Sequence, residues 1–235
     1  MSKNEELEVG SSSFSERLNE AISGGVVRSI RKLLASLEPL ETDSNRERKA
    51  KRKHLGEIAC RVGNKATLSD TIRYLGQIGD RYTDNILASL QDNPSPSIRM
   101  KVAANISNTG SRRAVVCLVN FTNDPSPVVR EWACFMLGQL KLGRSTRTIA
   151  VECLRKASED RCNRVRVNAI RALVYQGFTG SGKLLREHLD MKQIDMDRLC
   201  ELFASFETQF SELGMDEEIA DALVEFVRGE LFPSR

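Results

Sequence analysis

The stretch that decides the fold is Asp124-Pro-Ser-Pro-Val-Val-Arg130-Glu-Trp-Ala-Cys-Phe-Met-Leu137-Gly-Gln-Leu140. Val129, Ala133 and Leu137 follow one another at intervals of four residues, as on the buried face of an α-helix. The Asp-Pro-Ser-Pro opening is typical of a helix start, because Asp or Ser can cap free N–H groups and proline is tolerated in the first turn. The stretch therefore predicts an amphipathic helix.

Related stretches lie on both sides of this one. A predecessor spans residues 92–106, a successor spans 160–173, and a weaker unit ends at 74–78. Matched apolar positions in these first helices are Ile98, Val129 and Val165; Val102, Ala133 and Ala169; Leu75, Ile106, Leu137 and Leu173. Second helices follow, with matched Leu87, Leu118 and Leu154, then Leu90, Phe121 and Ala157. Two helices per 31 to 36 residues, neither able to bury its apolar face alone, require stacked neighbours.

The quoted stretch resembles the first helix of HEAT-like repeats, in particular the short repeats known from phycobilisome lyases. The resemblance extends from Thr67 to about Asp190. It implies an all-α protein, a right-handed α-α superhelix (a HEAT-like solenoid) with helical caps at both ends. Such repeats serve adaptors, chaperone-like lyases and DNA-binding proteins, and no catalytic residue of the lyases is recognisable.

The ends of the chain differ from the repeats. We expect a disordered segment over residues 1–13, an N-terminal helical cap or degenerate repeat over 14–65, HEAT-like repeats over 66–190, and an acidic C-terminal helical cap over 191–235. Leu55-Gly-Glu-Ile58 in the N-terminal cap echoes the Leu-Gly-Gln-Ile ending of a first helix. Glycines expected near the ends of first helices, where a left-handed C-cap favours glycine, are Gly79, Gly110, Gly143 and Gly177.

The composition, 40% hydrophobic and 29% charged in 235 residues, is that of an ordinary soluble protein. No stretch approaches the roughly 20 apolar residues that span a bilayer, and the acidic, polar N-terminus does not resemble a secretory signal. We therefore expect a cytoplasmic protein without membrane contact. Six scattered cysteines and two histidines, with no Cys-x-x-Cys pair, predict neither a metal site nor a disulfide framework.

Charge is unevenly distributed. From Glu187 to the end there are 13 acidic and 4 basic residues, a net charge of −9. Since the whole chain carries +3, the preceding part carries +12. Either the acidic segment neutralises the basic body within the fold, or the body attracts an acidic partner.

Charged residues also follow the repeat. A column of Arg99, Arg130 and Arg166, with Asp92, Asp124 and Asp160, predicts an internal ladder in which each arginine bonds to an acid or carbonyl of an adjoining unit. The segment 177–184 nearly matches a phosphate-binding loop, but the helix pattern before it favours a glycine-rich turn between repeat helices.

Two groups of residues are candidates for partner binding. The first is the aromatic pair Trp132 and Phe135, which either packs beneath a neighbouring element or forms an exposed hot spot. Neighbouring repeats carry polar or small residues there: Lys101 and Asn168 for Trp132, Ala104 and Arg171 for Phe135.

The second group is basic. The run 46–54 contributes Arg48, Lys49, Arg52 and Lys53, and the turns contribute Arg81, Arg112, Arg113, Arg144 and Arg147. These cations are either solvated faces or contacts to phosphates or an acidic protein surface. No aromatic platform is evident among them, which argues against single-stranded nucleic acid.

The sequence thus predicts a non-catalytic scaffold or adaptor that binds a protein partner, with a concave face lined by second helices. One alternative is a nucleic-acid-binding solenoid that uses the basic run and the turn arginines. Another is a HEAT-like enzyme, such as a bilin lyase or DNA glycosylase, which would require a deep pocket and an acid with a perturbed pKa. No catalytic residue, cofactor or metal ligand is predicted.

Overall fold

The computed structural model describes residues 13–24, 27–106 and 111–178. Within these ranges there are ten α-helices and no β-strand, which confirms the predicted all-α class. The helices are α1 (Phe14–Ser23), α2 (Val27–Ala35), α3 (Asn45–Arg61), α4 (Lys65–Ile78), α5 (Arg81–Ala88), α6 (Pro96–Asn105), α7 (Arg112–Phe121), α8 (Pro127–Gln139), α9 (Arg144–Ala157) and α10 (Asn163–Tyr175).

The ends of the chain are only partly described. The predicted acidic cap, 191–235, and residues 1–12 of the predicted disordered segment lie outside the described residues. Ser13, expected in the disordered segment, is instead the N-cap of α1, where it forms a capping box with Glu16. The backbone N–H of Ser13 donates to Glu16 Oε2 at 2.6 Å.

The helices stack in two layers, as the repeat pattern predicted. Helices α2, α4, α6, α8 and α10 form the first layer, and α1, α3, α5, α7 and α9 form the second layer. Each helix packs against the next helix of its own layer and, from α3 onward, against its neighbour along the chain. The described chain is therefore an α-solenoid whose core lies between the layers.

The repeat columns supply that core. In the first layer Leu75, Ile106, Leu137 and Leu173 are fully buried, and in the second layer Leu87, Leu118 and Leu154 are fully buried. Burial of one such side chain contributes roughly 1.5–3 kcal/mol, and a repeat without its neighbours would lose part of that burial. The predicted core columns are confirmed, except that Leu90 in the second-layer column of Phe121 and Ala157 is only partly buried.

Two glycines lie at close contacts between helices of the same layer. A Cβ on Gly138 of α8 would lie 2.9 Å from Cα of Ala172 on α10. A Cβ on Gly56 of α3 would lie 3.2 Å from Cδ1 of Ile86 on α5. Gly56 of the Leu55-Gly56 echo therefore also lies at a helix contact. The echo suggested a first-layer helix, but α3 belongs to the second layer.

The glycines expected at helix ends divide into two kinds. Gly79 ends α4 with φ +59°, and Gly177 follows α10 with φ +69°, as predicted. The prediction for Gly143 is wrong, because this residue has φ −71° and is the N-cap of α9. Helix α8 instead ends at Gln139, and its C-cap Leu140 is in an extended conformation. Gly110 lies outside the described residues.

Candidate binding surfaces

Arg99 and Arg130 form the predicted ladder between repeats, whereas Nη1 of Arg166 donates to the carbonyl of Asp160 in the loop before its own helix, at 2.9 Å. Nε and Nη2 of Arg130 donate to the carboxylate of Asp160 at 2.7 and 3.0 Å. Its Nη1 donates to the carbonyl of Asp124 at 2.8 Å, which joins α8 to the loop before it as well as to the next repeat. Arg99 makes the same pair of contacts to Asp124, at 2.6 and 2.9 Å. These arginines are structural and face the interior.

The acids of the ladder also organise the helix starts. Asp124 Oδ1 accepts the N–H of Ser126 at 2.8 Å, whereas the Ser126 hydroxyl caps nothing, contrary to one reading of the Asp-Pro-Ser-Pro opening. In the preceding repeat Asn93 Oδ1 takes this role, accepting the N–H of Ser95 at 3.0 Å. Asp92 was therefore matched to Asp124 one residue out of register.

The electrostatics of the ladder follow from these contacts. Burial by itself would raise the pKa of Asp124, but the hydrogen bonds from Arg99 and Ser126 and the charges of Arg99 and Arg130 outweigh it and lower the pKa. The pKa of Asp160 is lowered in the same way. Burial would raise it, but the hydrogen bonds from Arg130 and from the Cys162 N–H outweigh burial. Both carboxylates are held charged.

The aromatic pair lies on α8 and is partly exposed. Trp132 is 36% exposed, and its ring meets that of Phe135 edge-on with centroids 5.6 Å apart. The guanidinium of Arg171 on α10 lies 4.9 Å from the Phe135 ring centre. Val128, one turn before Trp132, is also exposed, so the three side chains form an apolar stripe, the Trp132 stripe.

The Trp132 stripe lies on the first layer. The predicted docking face was lined by second helices, which are α5, α7 and α9, so the aromatic pair and that face do not coincide. Ser97 and Arg164 occupy the position of Val128 in the neighbouring repeats. The stripe is therefore a local departure from the repeat rather than a part of its core.

The basic run lies on α3, and half of its candidate residues have internal contacts. Nη2 of Arg48 donates to the carbonyl of Glu41 at 3.3 Å. Arg52 pairs with Asp80, the N-cap of α5. Lys49 and Lys53 are exposed and form no ion pair within the described part of the chain.

The turn arginines have one structural position in common. Arg81, Arg112 and Arg144 are the first residues of α5, α7 and α9, the helices that follow one another in the second layer. Arg113 and Arg147 lie in the first turns of α7 and α9. All five are exposed, and none forms an ion pair with another described residue.

Tyr82 is the surface residue that sequence reasoning missed. It is 50% exposed at the start of α5, and its ring centre lies 4.4 Å from the guanidinium carbon of Arg52 and 5.0 Å from that of Arg81. Nη2 of Arg81 also donates to the Tyr82 hydroxyl at 3.2 Å. That hydrogen bond, together with the charges of Arg81, Arg52 and Lys49, lowers the pKa of Tyr82. Its place one residue after Arg81 was the available signal.

Other chemical sites find little support in the described ranges. No group of three His, Cys, Asp or Glu side chains there is arranged to hold a metal ion. No helix there is long and apolar enough to cross a membrane. The segment 177–184, which nearly matches a phosphate-binding loop, is described only as far as Phe178. The helix α10 precedes it, as expected of a turn between repeats.

Solved structures with the same architecture are repeat proteins. One is a designed armadillo repeat protein in complex with the peptide (KR)4, with 14% sequence identity and a TM-score of 0.52 over 83% of this chain and 99% of that chain. Another is YibA of Escherichia coli, with 16% identity and a TM-score of 0.51 over 97% of this chain and 93% of that chain. At these identities the likeness concerns the fold alone. No curated protein sequence matches this chain significantly.

The sequence profile of HEAT repeats matches residues 53–138 and 117–199. The narrower resemblance to the repeats of phycobilisome lyases stays a prediction. Because the two matched segments together span more than half of the 235 residues, and the helices stack as a two-layer solenoid, the chain belongs to the HEAT repeat family.

Proposed function

We propose that this chain is a cytoplasmic, non-catalytic scaffold that holds a protein partner against the Trp132 stripe. The observation that carries the proposal is the exposed Trp132, which stands on α8 where the neighbouring repeats have Lys101 and Asn168. Tryptophan is enriched among the few residues that dominate protein interfaces.

The surroundings of the stripe suit an interface. Arg171 is buried against the Phe135 ring, and the exposed Arg164 of α10 lies 3.9 Å from Glu131 of α8, so a charged pair borders the apolar stripe. A polar rim around a small aromatic centre is the usual arrangement of binding surfaces. The ring contact also restricts the Trp132 side chain before binding, which lowers the entropy lost on association.

Two observations favour binding over catalysis. The carboxyl groups of Asp124 and Asp160 have lowered pKa values and serve the ladder, whereas a general acid at neutral pH needs a raised pKa. A solenoid of similar fold, the designed armadillo repeat protein, is described in complex with a peptide. That peptide consists of Lys and Arg, so a ligand of this basic chain would differ from it in charge.

The test compares two exposed apolar residues on opposite layers. Tagged full-length protein with Trp132→Ala is used beside Val116→Ala, since Val116 on α7 is 38% exposed and belongs to the second layer. Proteins captured by the wild type and by Val116→Ala, but not by Trp132→Ala, are purified and their Kd values measured. We expect Trp132→Ala to weaken binding about 30-fold or more, as a hot-spot residue does. Equal binding by all three proteins would refute the proposal.

A further inference from the structure

A second surface, on the other layer, has a different chemistry. It comprises the exposed first turns of α5, α7 and α9 and the adjoining face of α3, and we call it the Tyr82 edge. Its residues are Lys49, Arg52, Arg81, Tyr82, Arg112, Arg113, Arg144 and Arg147.

Among the described residues, acids balance only part of the positive charge of the Tyr82 edge, and Glu47 in the first turn of α3 is engaged with the N-cap Ser44. The first turns of α7 and α9 contain no acidic residue. In α5 the first-turn acid, Asp84, is fully buried, and the N-cap Asp80 is engaged with Arg52. Arginines at these positions do not help the helices, because a cation in the first turn opposes the helix dipole. Within the described part of the chain, the charge of the arginines on α7 and α9 is therefore available to an anionic partner.

Contacts around Tyr82 join the two basic groups into one surface. Helix α3 packs beside α5, and Arg52 of α3 reaches across to lie over the Tyr82 ring, next to Arg81. Without this contact the run on α3 and the turn arginines would be separate patches. With it, cations extend over four neighbouring helices of the second layer.

The dimensions suit an extended polyanion. Stacked helices lie about 8–10 Å apart, so the four helices from α3 to α9 extend the edge over roughly 25–30 Å. Arg144 stands about one turn, roughly 5 Å, beyond the level of Arg112. Leu118 of α7 and Leu154 of α9 lie at matching positions of the repeat. Because α9 begins ten residues before Leu154 and α7 begins only six residues before Leu118, α9 starts about one turn earlier.

The side chains favour a nucleic acid over an acidic protein. Arginine forks bind the phosphate backbone regardless of sequence, which suits an edge without alternating acids. The half-exposed Tyr82 ring and its neighbouring guanidinium planes offer a surface on which a base can stack. Acidic side chains would use the cations but not the ring.

We propose that the Tyr82 edge binds a single strand of nucleic acid, with phosphates on the arginines and a base stacked at Tyr82. The edge belongs to the second layer and the Trp132 stripe to the first, so this inference is independent of the protein-binding proposal. A strand and a protein partner would not compete for the same residues.

The test is fluorescence anisotropy of the full chain with labelled 20-nucleotide single-stranded DNA and RNA of mixed sequence, between 50 and 200 mM NaCl. Arg144→Gln/Arg147→Gln removes two cations at the start of α9, and Arg155→Gln/Lys156→Gln removes two at its end. We expect the first pair to make the negative slope of log affinity against log salt shallower by about 1.4 and to lower the affinity about 25-fold at 0.1 M salt. The second pair should change the affinity less than threefold.

Tyr82 supplies a second readout that charge alone would not change. Tyr82→Ala should weaken strand binding about tenfold, whereas Tyr82→Phe, which keeps the ring, should bind nearly as the wild type does. Circular dichroism of each variant, expected to match the wild type, shows that these exposed substitutions leave the fold intact. Trp132→Ala should leave strand binding unchanged.

Three results would overturn the inference. Equal losses from the substitutions at the two ends of α9 would show that only net charge matters. Binding of a deca-glutamate peptide that depends on Arg144 and Arg147, without binding of the strands, would assign the edge to an acidic protein. Tighter binding of a 20-base-pair duplex, indifferent to Tyr82→Ala, would remove the stacked base from the account.

Discussion

Replacing Arg130 by methionine should destabilise the solenoid by about 3 kcal/mol, whereas the same change at Arg112 should cost less than about 0.5 kcal/mol. Methionine keeps most of the length and apolar stem of arginine but removes the guanidinium. Arg112 is exposed and unpaired among the described residues, so it reports the cost of the substitution without the ladder. The two variants carry the same change in charge.

The magnitude follows from the contacts of Arg130. Its side chain is 7% exposed and that of Asp160 is 12% exposed, and the substitution removes two hydrogen bonds to Asp160 and those to the carbonyls of Asp124 and Pro125. Breaking a buried pair from one side costs roughly 3–5 kcal/mol. The lower end applies, because Asp160 keeps the N–H of Cys162 at 2.8 Å and some access to water.

The assay is urea unfolding at pH 7, followed by far-UV circular dichroism and by the fluorescence of Trp132, the one tryptophan of the chain. For a protein of this size, 3 kcal/mol corresponds to a decrease in Tm of roughly 6–12 °C. Because Trp132 and Arg130 share α8, the fluorescence transition should move at least as far as the dichroism transition. Arg130→Met and Arg112→Met that unfold at the same urea concentration would refute the reasoning.

Acid should reduce the difference between the wild type and Arg130→Met. The pKa of Asp160 is lower in the folded state than in the unfolded chain, because the contacts of Arg130 outweigh the opposing effect of burial. A lowered carboxyl pKa stabilises the fold above the unfolded value of about 3.9, and this contribution is lost as the pH falls through the folded value. The difference should therefore be complete at pH 5 and 7 and should shrink below about pH 4.

Two other substitutions test the packing. Gly138→Ala should lower the free energy of unfolding in urea titrations by about 1–3 kcal/mol, because the added Cβ would lie 2.9 Å from Cα of Ala172. The control Gly63→Ala, where the added Cβ has no atom within 4 Å, should change it by less than about 0.5 kcal/mol. Equal effects of the two substitutions would contradict the close approach of α8 and α10. His54→Phe should stabilise the protein more at pH 5 than at pH 8, because burial lowers the pKa of His54, its Nδ1 is buried without a partner, and its ring stacks on Phe14 at 4.0 Å. Because the pKa of His54 is lowered in the folded state, the wild type loses stability as the pH falls below about 6.5. A stability difference between His54→Phe and the wild type that does not depend on pH would exclude this contribution.

The fold was predictable because repetition supplied the evidence several times over. The column of Leu137 and its equivalents identified the buried face of each first helix, and all its members are fully buried. The ladder was predictable for the same reason, since Arg99 and Arg130 recur at the repeat period and meet acids of the next unit. Periodicity fixes which face of a helix points inward.

The surfaces were less predictable, because periodicity does not give the distance between stacked helices or the position where a helix begins. Gly143 looked like the end of a first helix and proved to be the start of α9, which raises Arg144 by a turn. Tyr82 and Arg52 lie 30 residues apart, in different repeats, and only the packing of α3 on α5 brings them together. Sequence reasoning named the cations but missed the ring that they surround.

The central claim, that a protein partner docks on the Trp132 stripe, is tested most directly by photo-crosslinking in living cells. A benzophenone amino acid is placed at position 128 in one protein and at position 116 in another, so that Trp132 itself is kept; these two sites are 45% and 38% exposed on opposite layers. We expect a discrete crosslinked protein from position 128 after illumination, with little or none of it from position 116. The same crosslinked protein from both positions, or none from position 128, would contradict the claim.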